Sequence, residues 1–177
     1  IAQSESYLGH KWCNYWFHVR HLNNETGKMS KSKGEFLTVS LLESKGYDPM
    51  AYRLFCLQSH YRKNLVFTWE NLDNAVVAYN KLVAKIATFQ NDGAVDEKAF
   101  ADLKNRFQKA LDGDLNTSVA VTALYDVLKA KCNDATKLAV LADFDKVLSL
   151  NMIEAAQKLQ KKQAEEEAAN ADPEIDA

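Results

Sequence analysis

Lys28 and Lys31 stand three positions apart in Lys28-Met29-Ser30-Lys31-Ser32, the stretch of this 177-residue chain whose residue types most demand a chemical explanation. Each ammonium group is a compact point charge with three donors, well fitted to phosphate oxygens. Small hydroxyl residues separate the two lysines, and Gly34 closes the segment with a backbone free to turn. Two such cations on a loop that can close suit a triphosphate whose leaving group gathers negative charge as it departs. A generic pair of lysines at this spacing would be no more than a solvated basic loop; the complete five-residue string carries the argument.

A second set of basic groups, Arg53, His60, Arg62 and Lys63, lies further along, with Tyr61 among them. They could contact the phosphates of a nucleic acid stem, with Tyr61 stacking or hydrogen-bonding beside them. Arg62 could equally tie neighbouring helices together through a carboxylate, and the sequence leaves both readings open. Cys13, His18 and His21 include metal-binding residue types. On a strand, however, His18 and His21 would point to opposite faces, so no metal site is expected there. Cys56 and Cys132 read as small core residues. Trp12, Trp16 and Trp69 read as packing residues rather than platforms for bases.

The elements that would position these groups follow from periodicity. Residues 12–23 are aromatic and β-prone, and Asn23-Asn24-Glu25-Thr26-Gly27 supplies turn chemistry, which predicts a short strand entering an exposed loop at 28–34. A helix is expected from Thr38 or Ser40, where Ser40 and Glu43 have capping-box spacing, as far as Gly46. Asp48-Pro49 offers a cap and a first-turn proline to the next helix, which passes through Tyr52, Leu54, Phe55 and Leu57. From Glu70 the stripe Val76, Tyr79, Val83 and Ile86, widened by Leu82 and Phe89, marks one long amphipathic helix.

Asn91-Asp92-Gly93 breaks that pattern. Phe100, Leu103, Phe107 and Leu111 define another helix, and Asp112 to Thr117 form a second break, with Asn116 or Thr117 as cap. Val121, Leu124 and Leu128 mark a third helix, while Leu138, Leu141, Phe144 and Leu148 mark a fourth over 134–150. Short connections predict an antiparallel bundle. Residues 154–170, almost all Ala, Glu, Gln, Lys and Leu, read as a solvated helical tail or linker.

Composition agrees with a mainly α fold carrying a small β remnant. Only 6 Gly and 2 Pro occur, too few for a turn-dense β sandwich or barrel. Three widely spaced cysteines make a disulfide framework improbable and favour a reducing, cytoplasmic setting. No apolar run reaches the ~20 residues that span a bilayer, so no membrane is expected as a partner. Residues 1–63 hold nine Lys/Arg against five Asp/Glu and all four histidines, whereas 64–177 hold thirteen against nineteen. A basic front before an acidic back places any polyanion at the front. The chain opens on Ile1 and closes on Asp172-Pro173-Glu174-Ile175-Asp176-Ala177, so it reads as a piece of a longer protein.

The string at 28–32 resembles the second signature of class I aminoacyl-tRNA synthetases, and its neighbours resemble the cysteinyl family. Ile1-Ala2-Gln3-Ser4-Glu5 is similar to the segment that follows this family's His-x-x-x-Glu zinc ligands, and Asn14-Tyr15-Trp16-Phe17-His18 is similar to its Asn-Tyr-Trp-Met-His strand. Ser59-His60-Tyr61-Arg62, Glu70-Asn71-Leu72 and Asp114-Leu115-Asn116-Thr117 fall where the family has similar strings. The likeness is clear over about 1–125 and looser beyond.

The resemblance implies the end of a class I catalytic domain at 1–34, a stem-contact connector at 35–72, a tRNA-docking helical bundle at 73–153 and the tail at 154–177. It implies Lys28 and Lys31 as catalytic phosphate binders, with Met29, Ser30 and Ser32 shaping the ATP-binding loop and His18 beside the nucleotide. The family usually has glycine where this chain has Arg20, which leaves the contact of His18 open. Arg53, His60, Arg62 and Lys63 become candidate tRNA contacts.

The implied partners are ATP with its Mg²⁺, cysteine and tRNA(Cys), for a protein acting as a monomer. The His-Ile-Gly-His motif and all the zinc ligands of the family would lie outside this chain, which by itself is expected to be inactive. Two rivals share the features: a ligase of the same fold that joins cysteine to an amino sugar in mycothiol synthesis, and a non-catalytic helical module that docks RNA or protein and keeps the loop by descent.

Overall fold

The computed structural model describes residues 1–24, 27–28 and 38–171, with the backbone alone for Gly27, Lys28 and residues 169–171. Eight helices and three short strands are found among the described residues. Helix α1 (Ala2–Leu8) buries none of its residues and ends where Gly9, at φ 72°, returns its N–H to the Glu5 carbonyl. An irregular aromatic stretch leads from it into strand β1 (Leu22–Asn24).

The sequence predicts a strand over residues 12–23, but only the last two of those residues, with Asn24, pair. Up to His21 the described residues form no sheet ladder, and β-propensity without a neighbouring strand gives an extended chain only. Strand β1 is central in a sheet of order β2-β1-β3. It pairs antiparallel with β2 (Gly27–Lys28), where Asn23 faces Lys28, and parallel with β3 (Leu65–Val66), where Leu22 faces Leu65.

The remaining helices are α2 (Val39–Ser44), α3 (Pro49–Leu57), α4 (Trp69–Ala87), α5 (Glu97–Asp112), α6 (Thr117–Lys129), α7 (Asp134–Leu148) and α8 (Met152–Ala171). From α2 to α7 each opens on a side-chain oxygen that accepts a free first-turn N–H: Thr38, Asp48, Thr68, Asp96, Asn116 and Asn133. At α2 it is Thr38, bonded to the Leu41 N–H at 3.1 Å, rather than Ser40 that caps.

Helix α3 is a wall shared by two cores. Ala51 and Leu54 face the larger one, which α4 to α8 complete, while Phe55 faces a smaller one with Leu42, Phe67, Leu72 and Ala75. Leu22 and Leu65 of the sheet pack against this smaller core, so the strand leading toward the lysine loop is seated on it. At the centre of the larger core Phe107 of α5 and Phe144 of α7 stack with ring centroids 4.0 Å apart.

Helix α8 is more than a solvated tail. Met152 and Ala156 are buried, and Ile153, Ala155 and Leu159 pack against the main core. From Lys161 to Ala168 every residue is exposed. The α7–α8 turn contains two left-handed residues, Ser149 at φ 50° and Asn151 at φ 53°. It is held because the Asp145 carboxylate accepts the N–H groups of Leu150 (2.6 Å) and Met152 (3.0 Å). Tyr79 adds its hydroxyl to the Leu150 carbonyl at 2.8 Å, and burial pushes the phenol pKa up to about 12. None of the helices is long and apolar enough to cross a membrane, among the described residues.

Asp143 of α7 joins two helices by accepting hydrogen bonds from Lys104 of α5 and Lys146 of its own helix, each at 3.0 Å. Lys104 first, then Lys146, holds the carboxyl below its ordinary value of 3.8. A depressed carboxylate pKa adds stability above the unfolded value that disappears as pH falls through the folded one. Asp143→Asn is therefore expected to cost on the order of 0.5–1 kcal/mol at neutral pH. In parallel urea titrations the gap between the two proteins should close below pH 3.8, and a gap that persists there would sink the assignment.

Candidate nucleotide loop and its anchorage

Strand β1 sets where the lysine loop starts. Its Asn23 carbonyl accepts the Phe67 N–H at 2.7 Å, which fixes the strand to the segment leading into α4. The register with β2 then brings the backbone of Lys28 opposite Asn23. The side chain of Lys28 and all of Met29, Ser30, Lys31 and Ser32 lie outside the described residues. What the structure supplies is their mounting: a hairpin whose inner strand is paired on both sides and seated on a small apolar core.

His18 is exposed in the aromatic stretch before β1. Its ring stacks on Trp16 (centroids 6.2 Å), which meets Trp12 edge to face at 5.5 Å. Trp12 and Trp16 stay about half exposed, so here they pack on each other rather than into a core. Cys13 gives its thiol to the Tyr15 carbonyl. Among the described residues no three His, Cys, Asp or Glu side chains come together to hold a metal ion.

The four basic residues do not form one patch. Arg53 stays exposed on α3, and its Nε donates to the Leu148 carbonyl at 2.5 Å, at the C-terminal end of α7. His60, Tyr61, Arg62 and Lys63 lie in the turn between α3 and β3, where the Lys63 N–H closes back on the His60 carbonyl at 2.8 Å.

Three side chains of this turn converge on one carboxylate, Asp114, in the α5–α6 turn. Arg62 grips it with two nitrogens, Nε to Oδ2 at 2.6 Å and Nη2 to Oδ1 at 3.2 Å. Tyr61 donates its hydroxyl to Oδ1 at 2.6 Å, and His60 Nε2 stands 3.8 Å from Oδ2. Arg62 first, then Tyr61, holds the Asp114 carboxyl below its ordinary range, and Asp114 in turn raises the Arg62 guanidinium and the Tyr61 phenol. Thr117 extends the junction with a 3.3 Å bond to the Ser59 carbonyl.

Tyr61 also reaches the segment before β1. Its carbonyl accepts the Arg20 N–H at 3.0 Å, and its ring lies 4.3 Å from that of Phe17. Two strings that the resemblance singled out, Ser59 to Arg62 and Asp114 to Thr117, thus meet in space. Sequence reasoning raised a carboxylate partner for Arg62 without finding which. Periodicity placed Asp114 in a helix break, and the resemblance marked its string without saying what the carboxylate does.

Residues 1–77 match the family described as tRNA synthetases class I (C) catalytic domain. Over 144 residues the chain is 42% identical to the cysteine–tRNA ligase of Novosphingobium aromaticivorans, covering 78% of this chain and 29% of that protein. It is 39% identical over 155 residues to cysteine–tRNA ligase 1 of Burkholderia lata (87% and 32%), and 32% identical over 171 residues to the cysteine–tRNA ligase of Borreliella burgdorferi (87% and 35%). The chain belongs to the cysteinyl-tRNA synthetase family and spans about a third of the length of these relatives.

Proposed function

We propose that this chain is the part of a cysteine–tRNA ligase that carries the pyrophosphate-facing lysine loop and the helical support behind it. The whole protein would activate cysteine with ATP and pass the cysteinyl group to tRNA(Cys). In the first step a carboxylate oxygen of cysteine attacks the α-phosphorus of ATP. A bond to that phosphorus forms as the bond to the departing pyrophosphate breaks, and negative charge grows on the leaving group. Lys28 and Lys31 would meet that charge from the closed loop, which favours the transition state over the ground state. Magnesium accompanying ATP would help neutralise the charge that grows on the leaving phosphates.

The observation that carries this reading is the Lys-Met-Ser-Lys-Ser string at the exit of a doubly paired hairpin, in a chain whose similarity to cysteine–tRNA ligases extends over 78–87% of its length. The catalytic end at 1–34, the connector at 35–72 and a tRNA-docking bundle from 73 through the packed start of α8, with the exposed end of α8 as a tail, are the division of labour that goes with it. His18 would lie near the nucleotide, with Lys63 at the edge facing the acceptor stem and His60, mostly buried beside Asp114, behind it. Arg53 and Arg62 are engaged by Leu148 and Asp114, so they would support that edge from behind unless RNA draws them out. Zinc in the whole protein would be held by ligands that lie outside this chain. A cytoplasmic, monomeric enzyme is the setting that fits.

The test is ATP–pyrophosphate exchange by the full-length protein with each amino acid in turn, followed by charging of cysteine tRNA. Exchange that requires cysteine, with charging of that tRNA, is the expected result. Cysteine-dependent exchange with transfer to an amino sugar but not to tRNA would replace the tRNA reading by the sugar-ligase one, and no exchange at all would leave a docking module.

A further inference from the structure

Asp114 and Leu115 are consecutive residues with positive φ, 64° and 51°, and neither is glycine. A left-handed leucine is unfavourable and persists where its surroundings hold it. Backbone bonds from Leu115 to the Leu111 carbonyl and from Asn116 to the Ala110 carbonyl close the turn locally, and the turn at 59–62 grips the residues on either side of the leucine. Its arginine grips the Asp114 carboxylate with two nitrogens, its tyrosine donates to the same carboxylate, and its Ser59 carbonyl receives Thr117. Isolated surface ion pairs contribute little, but a two-nitrogen arginine grip within a shared network is the recognised exception.

The contact joins two regions that otherwise meet mainly along α3 and α4. On one side are α5 and α6 of the bundle. On the other, Tyr61 holds Arg20 and Phe17, two to five residues before the strand that leads to the lysine loop.

We infer that Asp114 is a positioning residue: by fastening the α5–α6 turn to the 59–62 turn, it fixes the angle between the helical bundle and the strand that mounts the lysine loop. The inference rests on the proposed synthetase function. Adenylate formation involves only small molecules, held within the catalytic part of the whole protein. Transfer to RNA requires an acceptor end delivered by a body held elsewhere on the protein, so transfer should be the step that feels this angle. The class of ligand concerned is a structured RNA long enough to touch the bundle and the loop at once.

The experiment uses the full-length protein with Asp114→Asn and, separately, Tyr61→Phe, which deletes one hydrogen bond while keeping the ring on Phe17. Cysteine-dependent pyrophosphate exchange and tRNA charging are measured side by side. The expected result for Asp114→Asn is exchange within about twofold of the parent, with charging kcat/KM lowered about tenfold, the scale for losing a charge-assisted hydrogen-bond network. Tyr61→Phe should shift charging in the same direction by less, and Asp114→Glu should recover part of the loss.

Equal losses in both assays, or none in either, overturn the inference. So does a rise in tRNA affinity in Asp114→Asn, which would mean that the carboxylate competes with RNA phosphate for Arg62. Should Asp114→Asn fail to fold, Tyr61→Phe alone decides: a charging loss without an exchange loss supports the inference, and its absence overturns it. Parent protein with no cysteine-dependent exchange would instead remove the functional reading beneath it.

Discussion

Lys31→Ala in the full-length protein is expected to slow cysteine-dependent pyrophosphate exchange ~10²–10³-fold, the scale for removing one donor aimed at charge that develops in the transition state. Affinity for tRNA should stay nearly unchanged, because the lost group meets the leaving pyrophosphate and not the acceptor RNA. The loss should fall on kcat rather than on the KM for ATP, since an interaction made chiefly in the transition state is lost from kcat and kcat/KM together. An unaltered exchange rate would remove Lys31 from the mechanism. Lys31→Arg separates the explanations further: a mere need for positive charge would be met, whereas the compact ammonium geometry would not.

Phe144→Ala should be the most damaging single truncation in the bundle, with an expected cost of about 3–5 kcal/mol. The ring is 1% exposed and stacks on Phe107 at 4.0 Å between α5 and α7. Removing it deletes the buried area, the ring pair and the filler of a space that the backbones of two helices are too stiff to close. Urea unfolding followed by far-ultraviolet circular dichroism measures the effect. A cost under about 1 kcal/mol would mean that the helices collapse onto the gap.

Much of this bundle is readable in the sequence because its signals are local. Apolar spacing identifies the buried faces of α4 to α7, and Asp48-Pro49 and Asn116 mark helix starts that the structure uses. Helix α1 is not legible, since a helix that buries nothing has no stripe to read. The aromatic run before β1 illustrates the opposite error: its residues suit a strand, but strand formation needs a partner at hydrogen-bonding distance, which no local pattern encodes.

The same reason hides Asp114. Its meaning comes from residues 52 and 53 positions earlier, and only the packing of α3 against α6 brings the two turns together. Arg53 is similar. A lone arginine on a helix reads as a surface cation, and its bond to the Leu148 carbonyl depends on a helix end 95 residues away. The lysine string is the reverse case, fully evident in the sequence and outside the described residues.

None of the three tryptophans belongs to the large core. Trp12 and Trp16 stand in the segment before β1, and Trp69 opens α4 beside Phe67 and Tyr47. Indole emission therefore reports on the segment before β1 and on the small core at the start of α4, while most of the amide ellipticity comes from the bundle. The two spectra divide the molecule optically without any label, so a melt followed in both channels reveals whether front and bundle come apart together or one after the other.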